Sequence, residues 1–191
     1  MQTIEKIRTF IAIKISPELE NELNTFLEEL KKIQCNVKWV NAKSIHLTLK
    51  FLGNHSSSEI EKVTESVKRG SQDFSVFKLK TGEKGAFPSL KRPRVFWVGL
   101  AENNNQTLIP LQKEIDNQLS DLGFEKESRG FHPHLTVGRV RSPGNIIEVT
   151  QKFTDYSFPE IEFAVDQILV MKSELTPKGA IYSIQNTIPL K

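Results

Sequence analysis

The stretches His46-Leu47-Thr48-Leu49-Lys50-Phe51-Leu52-Gly53 and Phe131-His132-Pro133-His134-Leu135-Thr136-Val137-Gly138-Arg139 decide how this chain is read. Each is an apolar run interrupted at alternate positions, the pattern of a strand with one buried face. In a strand, residues i and i+2 share a face. His46 and Thr48 therefore point one way, as do His134 and Thr136, while Leu47, Leu49, Phe51, Leu135 and Val137 are expected in a core. Four His and twelve Thr in 191 residues give about 0.25 His-x-Thr triplets by chance, so one would carry little weight and two at matching places carry much more.

The surroundings repeat in the same order. Arg8-Thr9-Phe10 answers to Arg94-Val95-Phe96, 86 residues on, and His46–Leu49 to His134–Val137, 88 residues on. Ile7–Ile15 alternates as a strand, and Ser16 followed by Pro17 marks a helix start. That helix carries Leu19, Leu23, Phe26, Leu27 and Leu30 at helical spacing, up to about Ile33. In the second half, Arg94–Leu100 is the strand, and Gln106–Leu122 is the helix, closed by Gly123. Further helices are expected from Ser56 to Arg69 and over Ile146–Phe153. Shorter strands are expected over Val37–Val40, Phe74–Lys80, Ile161–Val165, Gln167–Ser173 and Ile181–Ile188. Gly82, Gly85 and Pro88 should break the chain after Lys80, and Thr176-Pro177-Lys178-Gly179 should turn it into the last strand. The order predicts two similar α+β lobes with no true linker between them. Residues 1–191 would form one bilobal domain with approximate halves 1–90 and 91–191, the product of an internal duplication.

Composition narrows the field without selecting a function. Hydrophobic residues at 38% and charged residues at 26% describe an ordinary globular chain. The net charge of +3 is compatible with a nucleic-acid or nucleotide ligand. No apolar run approaches the roughly 20 residues that span a bilayer, and the first residues alternate charge and hydrophobe. The single cysteine, Cys35, leaves no internal disulfide and fits a reducing cytoplasm, the expected location. Its thiol is expected half-buried at a helix end.

If the two strands face each other across a groove, each offers one imidazole and one hydroxyl. Two histidines flanking a phosphate suit phosphodiester cleavage: one neutral ring takes a proton from water, and one protonated ring gives a proton to the leaving oxygen. Histidine's ordinary pKa of ~6.5 leaves both forms accessible near neutrality. The hydroxyls of Thr48 and Thr136 can donate to the non-bridging oxygens. The carboxylates are scattered over helix faces, so the reading calls for no metal and no cofactor.

With these residues the chain resembles the two-histidine (2H, HXTX-motif) phosphoesterases, and among them the RNA 2′,3′-cyclic phosphodiesterases, also called 2′-5′ RNA ligases. The resemblance runs through Arg8–Ala12, Val37–Val40, His46–Gly53, Gly85–Pro88, Arg92–Trp97, Phe131–Arg139 and Ser173–Pro177, in the family's order. It implies an α+β, bilobal two-histidine phosphoesterase fold of two pseudo-symmetric lobes, each with an antiparallel sheet and helices and the active-site groove between them, and metal-independent hydrolysis of an RNA or nucleotide 2′,3′-cyclic phosphate to a 2′-phosphomonoester. It also implies His46 as proton donor to the departing O3′, His134 as proton acceptor from water, and Thr48, Thr136 and Arg139 as phosphate-binding residues. Strict alternation turns Arg139 away from His134, so its role requires a bulge or bend near Gly138. The expected partner is RNA or a nucleotide with a cyclic phosphate end, with no membrane and a monomeric chain. The alternatives are ATP-independent 2′-5′ RNA ligation through the same site, or a nucleotide- or RNA-binding module without catalysis.

Other residues weigh less. His132 shares parity with His134 but lacks the following Thr, and is expected to support the site. His55 is expected in a solvated loop. Trp39 reads as core, with base stacking as the alternative. Lys50 shares the His46 face and reads as an exposed lysine able to meet phosphate. Lys84, Lys91, Arg92 and Arg94 form a basic stretch that either contacts RNA or is solvated.

Overall fold

Ser16 accepts a hydrogen bond from the Leu19 amide at 3.2 Å with Pro17 in the first turn, so helix α1 (Pro17–Lys31) begins where the sequence predicts. Its stripe of Leu19, Leu23, Phe26, Leu27 and Leu30 is buried. Helix α2 (Ser57–Ser71) opens on a reciprocal Ser56–Glu59 capping box. The computed structural model describes residues 6–102, 106–142, 144–176 and 179–191; Pro177 and Lys178 of the expected turn lie outside the described residues. The other elements, in chain order, are β1 (Ile7–Lys14), β2 (Val37–Trp39), a 3-10 turn (Ala42–Ser44), β3 (His46–His55), β4 (Phe77–Phe87) and β5 (Val95–Ala101). After these come α3 (Leu108–Ser120), β6 (His134–Val140), α4 (Ile146–Asp155), β7 (Glu162–Val165), β8 (Gln167–Thr176) and β9 (Gly179–Pro189).

The strands form two antiparallel sheets, β3-β1-β8-β9 and β2-β6-β5-β4-β7. The fold is therefore α+β and bilobal. The sheets do not follow the two halves of the chain: β8 and β9, from its end, complete the sheet of β1 and β3, whereas β2 and β4, from its beginning, join the sheet of β5 and β6. The two His strands hold equivalent places. Lys14 lies opposite His46 and Ala12 opposite Thr48, just as Gly99 lies opposite His134 and Trp97 opposite Thr136. This pairing sets β1 and β5 85 residues apart, one less than the Phe10/Phe96 match suggests.

Strand β4 runs further than expected. Gly82 and Gly85 do not end β4, because a register shift between Thr81 and Lys84 absorbs the irregularity and pairing with β5 resumes. The helices pack in pairs, α1 against α4 and α2 against α3. The larger buried core contains Leu47 and Leu49 of β3 and Leu135 and Val137 of β6, and so joins the two sheets. A second, small cluster of Phe10, Ala12, Leu169 and Met171 lies on the other face of the first sheet, with Tyr182 packed against it. No described helix is long and apolar enough to cross a membrane.

Candidate active site

A one-residue bulge interrupts each His strand at the same place. On β6 the register steps from Trp97↔Thr136 to Phe96↔Gly138, leaving Val137 without a partner on β5; on β3 it steps from Ala12↔Thr48 to Ile11↔Lys50, leaving Leu49 without a partner on β1. A bulge resets the two-residue alternation. Val137 and Gly138 are both buried and Arg139 is exposed, so Arg139 returns to the face of His134 and Thr136. Gly138 is tolerated on the inner side because the Trp39 ring covers it: a Cβ there would stand 2.5 Å from the indole. Trp39 also stacks on Phe96 at 5.8 Å, so its packing role holds.

The same step on β3 reverses two expectations. Lys50 is 5% exposed and points inward, where its ammonium meets the Asp116 carboxylate at 2.5 Å and the Glu125 carbonyl at 2.7 Å. Phe51 is 62% exposed instead of core. His55 is not a solvated loop residue but the half-buried end of β3, 2.7 Å from the Leu52 carbonyl and edge-on to Phe124.

Both motif histidines are oriented identically. His46 Nδ1 lies 2.9 Å from the Ser44 carbonyl, and His134 Nδ1 lies 2.7 Å from the His132 carbonyl. A carbonyl only accepts, so each Nδ1 carries the proton and donates, and each Nε2 is the nitrogen left for chemistry. His132 thus supports His134 through its backbone, and its ring sits 4.8 Å from Trp97. The walls differ. His46 stacks on Phe10 at 4.7 Å and meets the edge of Tyr182 at 5.0 Å. His134 meets Phe87 edge-on at 5.1 Å.

Burial pushes both imidazoles below their ordinary pKa, opposed in each by the carbonyl at Nδ1. His134 is lowered further by the charges of His132 and Arg139. Cα atoms of β3 and β6 come within 8 Å of each other although the strands belong to different sheets. A cavity of about 1090 Å³ opens beside them and is lined by both His46 and Arg139, whereas Thr48, Thr136 and His134 stand outside its lining. Both threonines are half-buried on their strands.

The basic stretch divides. Lys84 donates to the carbonyls of Phe153 and Thr154 at 2.6 and 3.2 Å and also to Tyr156, so its ammonium is engaged in capping the end of α4. Lys91, Arg92 and Arg94 do not line the cavity. Phe51, Phe10 and Tyr182 are the residues that strand parity missed. Phe51 was open to inference: it stands 88 residues before Arg139, so the bend required for Arg139 turns Phe51 outward as well.

Comparison with known proteins agrees with this geometry. The family model of the 2′-5′ RNA ligase superfamily matches residues 16–177. The chain is 36% identical to the RNA 2′,3′-cyclic phosphodiesterase of Thermotoga maritima, covering 93% of this chain and 92% of that protein. It is 37% identical to the enzyme of that name from Methanocaldococcus jannaschii, covering 93% and 98%. Among solved structures, TT0787 of Thermus thermophilus superposes with a TM-score of 0.78 at 22% identity, covering 96% of this chain and 98% of that one. E. coli LigT complexed with 3′-AMP superposes with a TM-score of 0.76 at 24% identity, covering 98% and 99%. With its paired HXTX strands, bilobal sheets and relatives of nearly equal length, this chain belongs to the 2′-5′ RNA ligase superfamily.

Proposed function

We propose that this protein is an RNA 2′,3′-cyclic 3′-phosphodiesterase, hydrolysing the cyclic phosphate to a 2′-phosphomonoester through His46 and His134. The reading is carried by the two imidazoles held in one tautomer by the same carbonyl geometry, Nε2 free on each, on equivalent strands of two sheets. Relatives covering almost the whole chain carry that activity in their names.

In this reaction His134 Nε2, neutral in the free protein because burial and neighbouring charge lower its pKa, takes a proton from water as the water oxygen bonds to phosphorus. The P–O3′ bond breaks on the opposite side, and His46, protonated, gives its Nε2 proton to O3′. The product keeps phosphate on O2′ and has a free 3′-hydroxyl. His46 starts from a lowered pKa, and the bound phosphate anion brings it back toward protonation, since an opposite charge within about 4–6 Å favours the charged form. Arg139 offsets charge on the non-bridging oxygens, and Thr48 and Thr136 donate hydrogen bonds to them. Incubation of the protein with a 2′,3′-cyclic mononucleotide in EDTA should give the 2′-phosphate alone. Absence of that product would overturn the assignment.

A further inference from the structure

Each bulge on a His strand is held by a donor from outside the two strands that form it. On β6, Val137 has no residue opposite it on β5, and its carbonyl accepts from the Val40 amide at 2.9 Å. That backbone donor is at hand because β6 lies inside its sheet, between β2 and β5. β3 is the edge of its sheet, with β1 as its one neighbour among the described strands. There the donor is a side chain: Gln112 Nε2 of α3 donates to the Leu49 carbonyl at 3.4 Å, and Leu49 is the residue without a partner on β1. Leu49 and Val137 stand 88 residues apart, so a buried glutamine holds on β3 the carbonyl that backbone holds on β6.

Asp116 lies one turn further along α3, on the same face, and takes the Lys50 ammonium. Helix α3 thus grips two consecutive residues of β3, the backbone of Leu49 and the side chain of Lys50. The two grips differ in kind. Breaking the interior ion pair leaves a buried charge, so that grip bears on stability. A neutral hydrogen bond of 3.4 Å is long and adds little to stability. Its place distinguishes it, because it fixes the peptide just after Leu49, and Leu49 directly follows Thr48. On an edge strand a single ladder resists a shift of register, and a shift by one residue turns side chains to the other face.

We propose that Gln112 is a positioning residue for the reaction: by holding the β3 bulge it fixes the angle at which Thr48 presents its hydroxyl to the phosphate. Thr136 needs no such side chain, since β2 and β5 hold its strand from both sides. The inference rests on the proposed hydrolysis for its kinetic readout and on phosphate binding by Thr48 for its direction.

The test is a pair of double-mutant cycles on hydrolysis of 2′,3′-cyclic AMP, Gln112→Met being combined with Thr48→Val and, separately, with Thr136→Val. Gln112→Met keeps the length of the side chain and removes the donor. Alone it should lower kcat about tenfold, since small misplacements of a catalytic contact cost rate. KM should change less than about threefold and the melting temperature by no more than about 4 °C. In the Thr48→Val background the loss should shrink below about twofold, because the group being positioned is gone. In the Thr136→Val background it should persist in full. Equal losses in both backgrounds, or no loss in the single variant, overturn the role. Gln112→Glu has the same shape and only accepts when ionised, and it gives the same reading if Gln112→Met does not fold. The same cycles on the dissociation constant of 2′-AMP, by titration calorimetry, need no chemistry. Binding without turnover in the wild type overturns the hydrolase, and coupling of Gln112 to Thr48 in that constant, or its absence, then decides the positioning.

Discussion

Strands β3 and β6 carry the same pattern, the same carbonyl latch on the histidine and the same bulge three residues after it, yet the two residues beyond the bulge have opposite characters. On β3 the inward residue is Lys50 and the outward one Phe51; on β6 they are Gly138 and Arg139. The same backbone device occurs on both strands and carries different chemistry on each. One strand spends its cation on the interior, tying to Asp116 and Glu125, and shows a hydrophobe to the site. The other leaves room for Trp39 and shows a guanidinium to the site. That guanidinium makes the site electrostatically lopsided, because it acts on His134 and helps keep it neutral.

The equivalence of the histidines is the part to break first. His46→Ala and His134→Ala should each lower turnover by about 10²–10⁴-fold while leaving thermal unfolding unchanged. If steady-state kinetics left either variant near wild type, the strands would not be partners. The inward residues should then separate on stability alone. Lys50→Met strands a buried carboxylate on Asp116 and should cost about 3–5 kcal/mol in chemical denaturation. No loss would mean that Asp116 is satisfied without the lysine.

The outward residues should separate on activity. Arg139→Gln should lower kcat/KM by about 10²–10³-fold, the loss seen when one donor to a developing charge is removed. It should also move the acid limb of the pH–kcat/KM profile. Protonated His134 is inactive as a base, so activity falls as pH drops through its pKa. Removing a positive neighbour raises that pKa, so the limb moves to higher pH. A limb that stays in place or moves down would detach Arg139 from His134. The smallest effect is expected from the hydroxyls: Thr48→Val and Thr136→Val should each cost about 10–100-fold in kcat, as one charge-assisted hydrogen bond does. A difference between the two larger than that span would show that the strands do not share the phosphate evenly.

Much of this was legible in the sequence because it is local. The Ser16 and Ser56 caps, the buried stripe of α1 and the shared face of His46 and Thr48 follow from spacing alone. The bulges are not marked by any residue type: Leu49 and Val137 are ordinary strand residues, so parity placed Lys50 outside and Phe51 inside, and both are reversed. Arg139 escaped the same error because its resemblance to a phosphate-binding residue demanded a bend, and the structure supplies one at Val137. The interleaving of the sheets was also hidden. Pairing of β8 with β1 and of β4 with β5 depends on contacts across the chain that no window of sequence contains. Lys84 looked like a surface cation because nothing nearby in sequence announces the α4 carbonyls that it caps.

Strand β2 also acts as a caliper for the site. It is hydrogen-bonded to β6 at Gly138, Arg139 and Val140, and the Val40 amide continues the ladder to the Val137 carbonyl at 2.9 Å. From there only Asn41 to Ile45, wound into the 3-10 turn whose Ser44 carbonyl orients the ring, separate that ladder from His46. The strand bearing the second histidine therefore grips the chain just before the first, and the gap between the imidazoles is gauged by a few residues of backbone. One residue inserted between Val40 and Ile45 would lengthen the caliper and mis-set that gap, although neither histidine, neither sheet and no core residue had been touched.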